Sequence, residues 1–143
     1  MNSLLKVCCY SAFFSAVGCG IPKDSRDSLE IARRLSLKVG VTDNPPYSYF
    51  DGEKARGIEV DIVEAFAEKE NLEVEYVKGS ETYLVSKLEK AEIAILVGGF
   101  KKNTIWKEKA GLTSPYDEDN HVILIPKGEN SLVFTLESFL NNL

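Results

Sequence analysis

Three runs of this chain are apolar at nearly every successive position: "LKVGVT" after Lys38, "IAILVGGF" and "VILIP". A strand that alternates apolar and polar residues needs cover on one face, whereas a run apolar throughout has two faces to bury. Each run therefore has to sit in a sheet covered on both sides. Segments with helical spacing lie between them. "GIEVDIVEAFAEKENL" places Ile58, Ile62, Val63 and Phe66 on one face, with Glu59, Glu64, Glu68 and Lys69 largely opposite. "SETYLVSKLEKAE" offers Ser80 as an N-cap and Leu84, Val85, Leu88 and Ala91 as an apolar face. "NSLVFTLESFLNNL" carries the stripe Leu132, Leu136, Phe139, Leu140 and Leu143. With "VEYVKG" as a further strand, the alternation predicts an α/β domain with a mainly parallel sheet and crossovers of one hand.

The last two strands break the pattern. Between Tyr116 of "LTSPY" and Val122 of "VILIP" stands only "DEDNH", and a parallel crossover needs about a dozen residues or more. Asp and Asn favour turns through local backbone bonding, so this pair is expected to run antiparallel. Open α/β sheets bind ligands beyond the carboxyl ends of their strands; here those ends are "TDNPPY", "GSET" and "GGFKKNT". Pro45 and Pro46 make the first of these loops stiff, and Asn103 or Thr104 is placed to cap the short helix "TIWKEKAG".

A length of 143 residues suits one domain with a real core. The net charge is −5, and the Lys and Arg residues are spread among the acids along the sequence. That dispersal gives no basic stripe for phosphate neutralisation and argues against nucleic acid as a partner. At the N-terminus, Lys6 precedes an apolar run that is shorter than the roughly 20 residues a membrane span needs, followed by small residues before Cys19. This is a signal-peptide layout. "AVGC" resembles a bacterial lipobox, with Ala16 where Leu is usual; the alternatives are an ordinary signal peptide or an anchor that is never removed. The expected organisation is a signal peptide over 1–18, lipidated Cys19 with a flexible tether over 19–34, and one domain over 35–143. Cys8 and Cys9 would leave with the signal peptide, so the folded part holds no thiol and no cysteine metal site.

Taken in order, "LKVGVTDNPPYSYF", "GIEVDIVEAFAEKENLEVEYV", "KLEKAEIAILVGGF", "LTSPY" and "VILIPKGENSLVFTLESFL" resemble the bacterial extracellular solute-binding proteins of family 3. These are amino-acid-type binders with the type II periplasmic binding fold, and the resemblance runs from Leu35 to Leu143. It implies a single three-layer αβα lobe, its five-stranded sheet ordered 2-1-3-5-4 with the fifth strand antiparallel. The family's second lobe is missing, and "DEDNH" ties off the two strands that would have crossed to it.

Residue by residue, the resemblance places Asp43, Asn44, Tyr47, Gly98, Gly99, Phe100, Lys101, Thr104 and Trp106 at cleft positions. Trp106 stands where amino-acid binders carry the Arg that clamps a ligand carboxylate. Lys101 or Lys102 could replace it only as a point charge, so free α-amino acids are not the expected ligands. Trp106 either packs as core or presents its indole to the cleft, and Tyr47 either stacks on a ligand or packs. Asp43 and Asn44 either meet a cation or amine or serve the turn. The implied function is a membrane-tethered module that takes a small solute weakly or together with a partner, a transporter or a second subunit. The competing reading is a non-binding interaction module or a vestigial lobe, to which a flat face of Tyr47, Phe100 and Trp106 would point. The expected location is outside the cytoplasm, as a periplasmic or cell-surface lipoprotein. No cofactor, metal or catalysis is expected: His121, the sole histidine, falls in the tie-off turn, and Ser80, Glu81 and Asp43 read as caps.

Overall fold

The computed structural model describes residues 26–143; the signal-peptide segment and Cys8, Cys9 and Cys19 lie outside the described residues. The elements follow in the order α1 (Ser28–Arg34), β1 (Leu37–Val41), β2 (Tyr49–Asp51), β3 (Lys54–Arg56), α2 (Ile58–Glu70), β4 (Val74–Lys78) and α3 (Glu81–Glu89). After them come β5 (Ile95–Lys101), a 3₁₀ turn (Ile105–Glu108), β6 (Gly111–Leu112), β7 (His121–Ile125) and α4 (Asn130–Leu140).

The main sheet has the order β4-β1-β5-β7-β6, which is the 2-1-3-5-4 expected. β1 pairs parallel with both β4 and β5, while β7 pairs antiparallel with β5 and β6. The alternation of side chains along each apolar run divides the core in two. Leu37, Val39, Val41, Ile95, Val97, Ile123 and Ile125 face the layer made by α1, α2 and α4. Leu96, Val122 and Leu124 face α3 and the 3₁₀ turn. That split is why the runs are apolar at every position, and each fully buried Leu, Ile, Val or Phe contributes about 1.5–3 kcal/mol.

The tie-off is a tight hairpin. Tyr116 N–H donates to the His121 carbonyl at 3.0 Å, Asn120 takes a left-handed conformation at φ 63°, and His121 N–H donates to Asp117 Oδ1 at 2.9 Å. These are the roles for which Asp and Asn are suited in turns.

Four features differ from the sequence expectation. Ser28–Arg34, assigned to a flexible tether, is a helix whose Leu29 and Ala32 are buried against the core. Leu29 and Ala32, three residues apart, fall on one face of the helix and give it a surface worth burying. Buried Glu129 fixes its start, accepting the Ser28 N–H at 2.9 Å. The segment between β1 and α2 holds an antiparallel hairpin, β2–β3, to which no sequence pattern assigns a strand. Ile58, expected on the apolar face of α2, is 48% exposed, whereas Glu59, expected opposite, is fully buried. Leu143, counted in the last stripe, lies beyond the end of α4 and is exposed.

Candidate functional site

The carboxyl ends of β1, β4 and β5 meet at one edge of the sheet, and two different structures occupy it. The first is an internal clamp centred on Glu59. Its Oε2 accepts the N–H groups of Gly98 at 2.8 Å and Gly99 at 3.0 Å, and its Oε1 accepts the Tyr116 hydroxyl at 2.6 Å. Burial pushes the Glu59 carboxyl above the ordinary range, against the Gly99, Tyr116 and Gly98 bonds and nearby His121, which pull it down. Burial likewise raises the Tyr116 hydroxyl, reinforced by Glu59.

The clamp explains the glycine pair. The register of β5 against β7 shifts between Leu96 and Phe100, and Gly99 within that irregularity has φ +64°, a conformation that favours glycine. A Cβ there would meet Tyr47 Cδ2 at 2.6 Å and Asn44 Nδ2 at 2.8 Å, and one on Gly98 would collide with Thr42 Oγ1. Asn44 Nδ2 donates to the Gly98 carbonyl at 2.7 Å, fastening the loop after β1 to the end of β5. The Tyr47 ring lies on His121 with centroids 4.5 Å apart.

His121 is therefore not in the turn. It opens β7, buried, with Tyr47 on one side, Tyr116 at 6.1 Å on another and Asp117 Oδ2 2.7 Å from its Nδ1. For Asp117, the modest burial that would raise its carboxyl is outweighed by its bonds with His121, which hold it below the usual range.

The second structure is a concavity of about 490 Å³ lined by Val41, Thr42, Asp43, Phe50, Lys78, Gly79, Ser80 and Glu81. Asp43 is exposed and makes no side-chain hydrogen bond among the described residues. Ser80 caps α3, accepting Tyr83 N–H at 3.4 Å. Glu81 is held by the Trp106 indole N–H at 2.9 Å, and Lys78 Nζ sits 5.4 Å from the centre of the Phe50 ring. The hollow thus offers one unpartnered carboxylate, a second oriented by an indole, a hydroxyl and an aromatic wall, the two carboxylates outnumbering the one ammonium, Lys78, drawn toward Phe50. Such a set suits an amine or guanidinium group with some apolar or planar body.

The nine expected ligand positions are thus divided. Asp43 lines the hollow, and Trp106 borders it through Glu81. Trp106 is half-buried against the cluster that includes Leu84 and Leu88, and its indole N–H reaches Glu81. Asn44, Tyr47, Gly98 and Gly99 belong to the clamp, with both glycine N–H groups already taken. Phe100 is core, 6% exposed, and Thr104 caps the 3₁₀ turn by accepting Trp106 N–H at 3.4 Å. Lys101 points to a separate surface with Lys102 and Lys107. Phe50, Lys78, Ser80 and Glu81 were absent from the expected set. "GSET" was legible as a strand end, but nothing in sequence brings Phe50 from the β2–β3 hairpin to its side.

Residues 37–139 match the bacterial extracellular solute-binding proteins, family 3. The chain is 26% identical over 109 residues to membrane-bound lytic murein transglycosylase F of Idiomarina loihiensis, spanning 75% of this chain and 24% of that protein. It is 24% identical over 110 residues to a probable histidine-binding protein of Campylobacter jejuni, spanning 76% of this chain and 43% of that one. It therefore covers less than half the length of these relatives. Among solved structures, the arginine-bound form of domain 1 from TmArgBP superimposes with a TM-score of 0.71 at 24% identity, over 80% of this chain and 98% of that one. An ancestral arginine-binding protein bound to arginine gives 0.66 at 13% identity, over 74% and 91%. These structures share the fold, and with the family match over the greater part of its length the chain belongs to the bacterial extracellular solute-binding proteins of family 3.

Proposed function

We propose that this protein is a single-lobe solute-binding module that captures a small cationic solute, an amine or guanidinium compound, in the hollow between Asp43 and Glu81. The observation that carries this reading is the concave, polar form of the sheet edge. The flat aromatic face that would suit a protein partner does not form, since Phe100 is buried and Tyr47 covers Gly99 and His121. The arginine-bound form of domain 1 from TmArgBP supports the idea that one lobe of this fold can hold a solute. With one side of the ligand left in water, each hydrogen bond nets only about 0.5–1.5 kcal/mol, and affinity is weak unless a transporter or second subunit closes the cleft. The reading is of a binder, not an enzyme: the Glu59 carboxyl is turned to backbone and Tyr116, and the His121 ring to Asp117. Export through the N-terminal segment, lipidation at Cys19 and service to a membrane transport system belong to the same proposal.

Calorimetry with agmatine and arginine tests the site. The two share a guanidinium, and only arginine carries the carboxylate for which this lobe has no Arg clamp. Agmatine binding, with arginine weaker because its carboxylate finds no clamp, abolished by Asp43→Asn with Glu81→Gln, is the expected result. Arginine binding more than tenfold tighter than agmatine refutes the absence of a clamp, and binding indifferent to the double substitution places the ligand elsewhere.

A further inference from the structure

Although the basic residues are dispersed in the sequence, the fold gathers several of them along one edge. Lys101, Lys102 and Lys107 surround a depression of about 550 Å³ with Asn103, Asp119 and Asn120. None of these three lysines forms an ion pair among the described residues. Next to them, on the other side of the 3₁₀ turn, Arg26, Lys109 and Lys127 surround a second depression with Glu89 and Glu108. Arg26 Nη1 donates to the Glu89 carbonyl at 2.7 Å and Lys127 Nζ to the Glu108 carbonyl at 2.6 Å. Lys109 lies 3.7 Å from Glu89. Six basic side chains thus line the two depressions with Glu89, Glu108 and Asp119, while Asp117, engaged by His121, and Glu118 stand on the same turn as Asp119, on a chain whose overall charge is −5. Between the two depressions the turn presents Ile105, 78% exposed, beside half-buried Trp106.

We propose that this edge is a docking surface for an anionic lipid bilayer, with Ile105 entering the interface and the lysines meeting lipid phosphates. Two observations choose the bilayer over other anionic partners. An exposed aliphatic side chain on a short turn whose own and flanking residues Lys101, Lys102, Lys107 and Lys109 are basic, with an indole next in sequence, matches the apolar-below, charged-above profile of a membrane interface. Arg26, seven residues after the expected lipid-bearing Cys19, lies on this same edge. Each lysine near an anionic surface strengthens partition about fivefold, and salt screens the attraction. Docked this way, the protein holds the Asp43–Glu81 hollow close to the bilayer, because Trp106 joins the turn to Glu81.

The chain has a single tryptophan, so its fluorescence reports on the surroundings of this turn, and segment 1–25 adds no signal of its own. With the full chain, vesicles containing phosphatidylglycerol should shift Trp106 emission to the blue and let brominated lipid quench it. Pure phosphatidylcholine vesicles should do neither, and 0.5 M sodium chloride should reverse the shift. Lys101→Gln with Lys102→Gln should weaken the response about 30-fold, and Ile105→Ser should reduce the quenching by brominated lipid, with circular dichroism confirming that both variants fold. An unchanged spectrum on phosphatidylglycerol, or an equal response to phosphatidylcholine, overturns the proposal. Equal saturation by soluble polyglutamate also overturns it, in favour of an acidic protein partner.

Discussion

Glu59 is the residue on which the carboxyl edge of the sheet depends, and its replacement has a calculable effect. Glu59→Ala removes the acceptor for Gly98 N–H, Gly99 N–H and the Tyr116 hydroxyl in one step. A buried donor left without a partner costs about 1–3 kcal/mol. Gly98 is fully buried while Gly99 and Tyr116 have partial access to water, so the three together amount to about 3–5 kcal/mol after relief of the carboxylate's own desolvation. At a urea m-value of about 2 kcal/mol/M the unfolding midpoint falls by roughly 2 M. Glu59→Gln preserves most of this, because the amide oxygen can accept both glycine N–H groups while the amide nitrogen donates to the Tyr116 oxygen, and the loss should be about 1 kcal/mol. The two substitutions also separate in pH. The folded Glu59 pKa is raised, chiefly by burial, so between the unfolded and folded pKa values the folded state binds more protons than the unfolded one. The wild-type contribution is therefore complete below the ordinary glutamate range and is lost as pH rises through the folded pKa. Urea titrations from about pH 4 to about pH 7 should show wild type losing stability relative to Glu59→Gln, which has no proton to lose. A Glu59→Ala loss under 1 kcal/mol, or a wild-type to Gln difference constant with pH, would refute the clamp reasoning.

Three further outcomes are expected. Gly99→Ala, forced to hold φ +64° with its methyl against Tyr47 and Asn44, should lose about 2–4 kcal/mol in urea unfolding, whereas Gly52→Ala, also at positive φ but with nothing within 4 Å, should lose about 1–2 kcal/mol. Leu29→Ala should cost about 2–4 kcal/mol, as α1 is part of the core; a near-neutral result would return that segment to the role of tether. Trp106→Arg should fold with a loss of at most about 2 kcal/mol, since the indole is only half-buried and the guanidinium can pair with Glu81. Two-dimensional NMR of the variant checks this, and a collapsed spectrum would show Trp106 to be true core.

The layered fold was legible because it rests on repeating, local information. Apolar runs with no polar interruption demand two covered faces, helical stripes supply the cover, and five intervening residues leave "LTSPY" and "VILIP" no route but an antiparallel return. The resemblance then fixed the strand order. Glu59 shows the limit: on its helix it reads as one more surface carboxylate, and only the arrival of the Gly98–Gly99 irregularity and the Tyr116 hydroxyl, both distant in sequence, makes its burial favourable. The same holds for the site. Asp43 could be named from its place at a strand end, but Phe50, Lys78 and Glu81 become its neighbours through a hairpin and a parallel pairing that no local pattern encodes. The glycines expected at the cleft have their N–H groups drawn inward by Glu59. Charge behaves alike, for lysines scattered along the chain become an edge only when strands and turns set them side by side. What the sequence by itself determined is which surfaces must be buried, since burial of apolar area depends on composition and spacing. Which polar groups meet was decided by the tertiary structure alone, because a hydrogen bond or an ion pair depends on the placement of two atoms within a few tenths of an ångström.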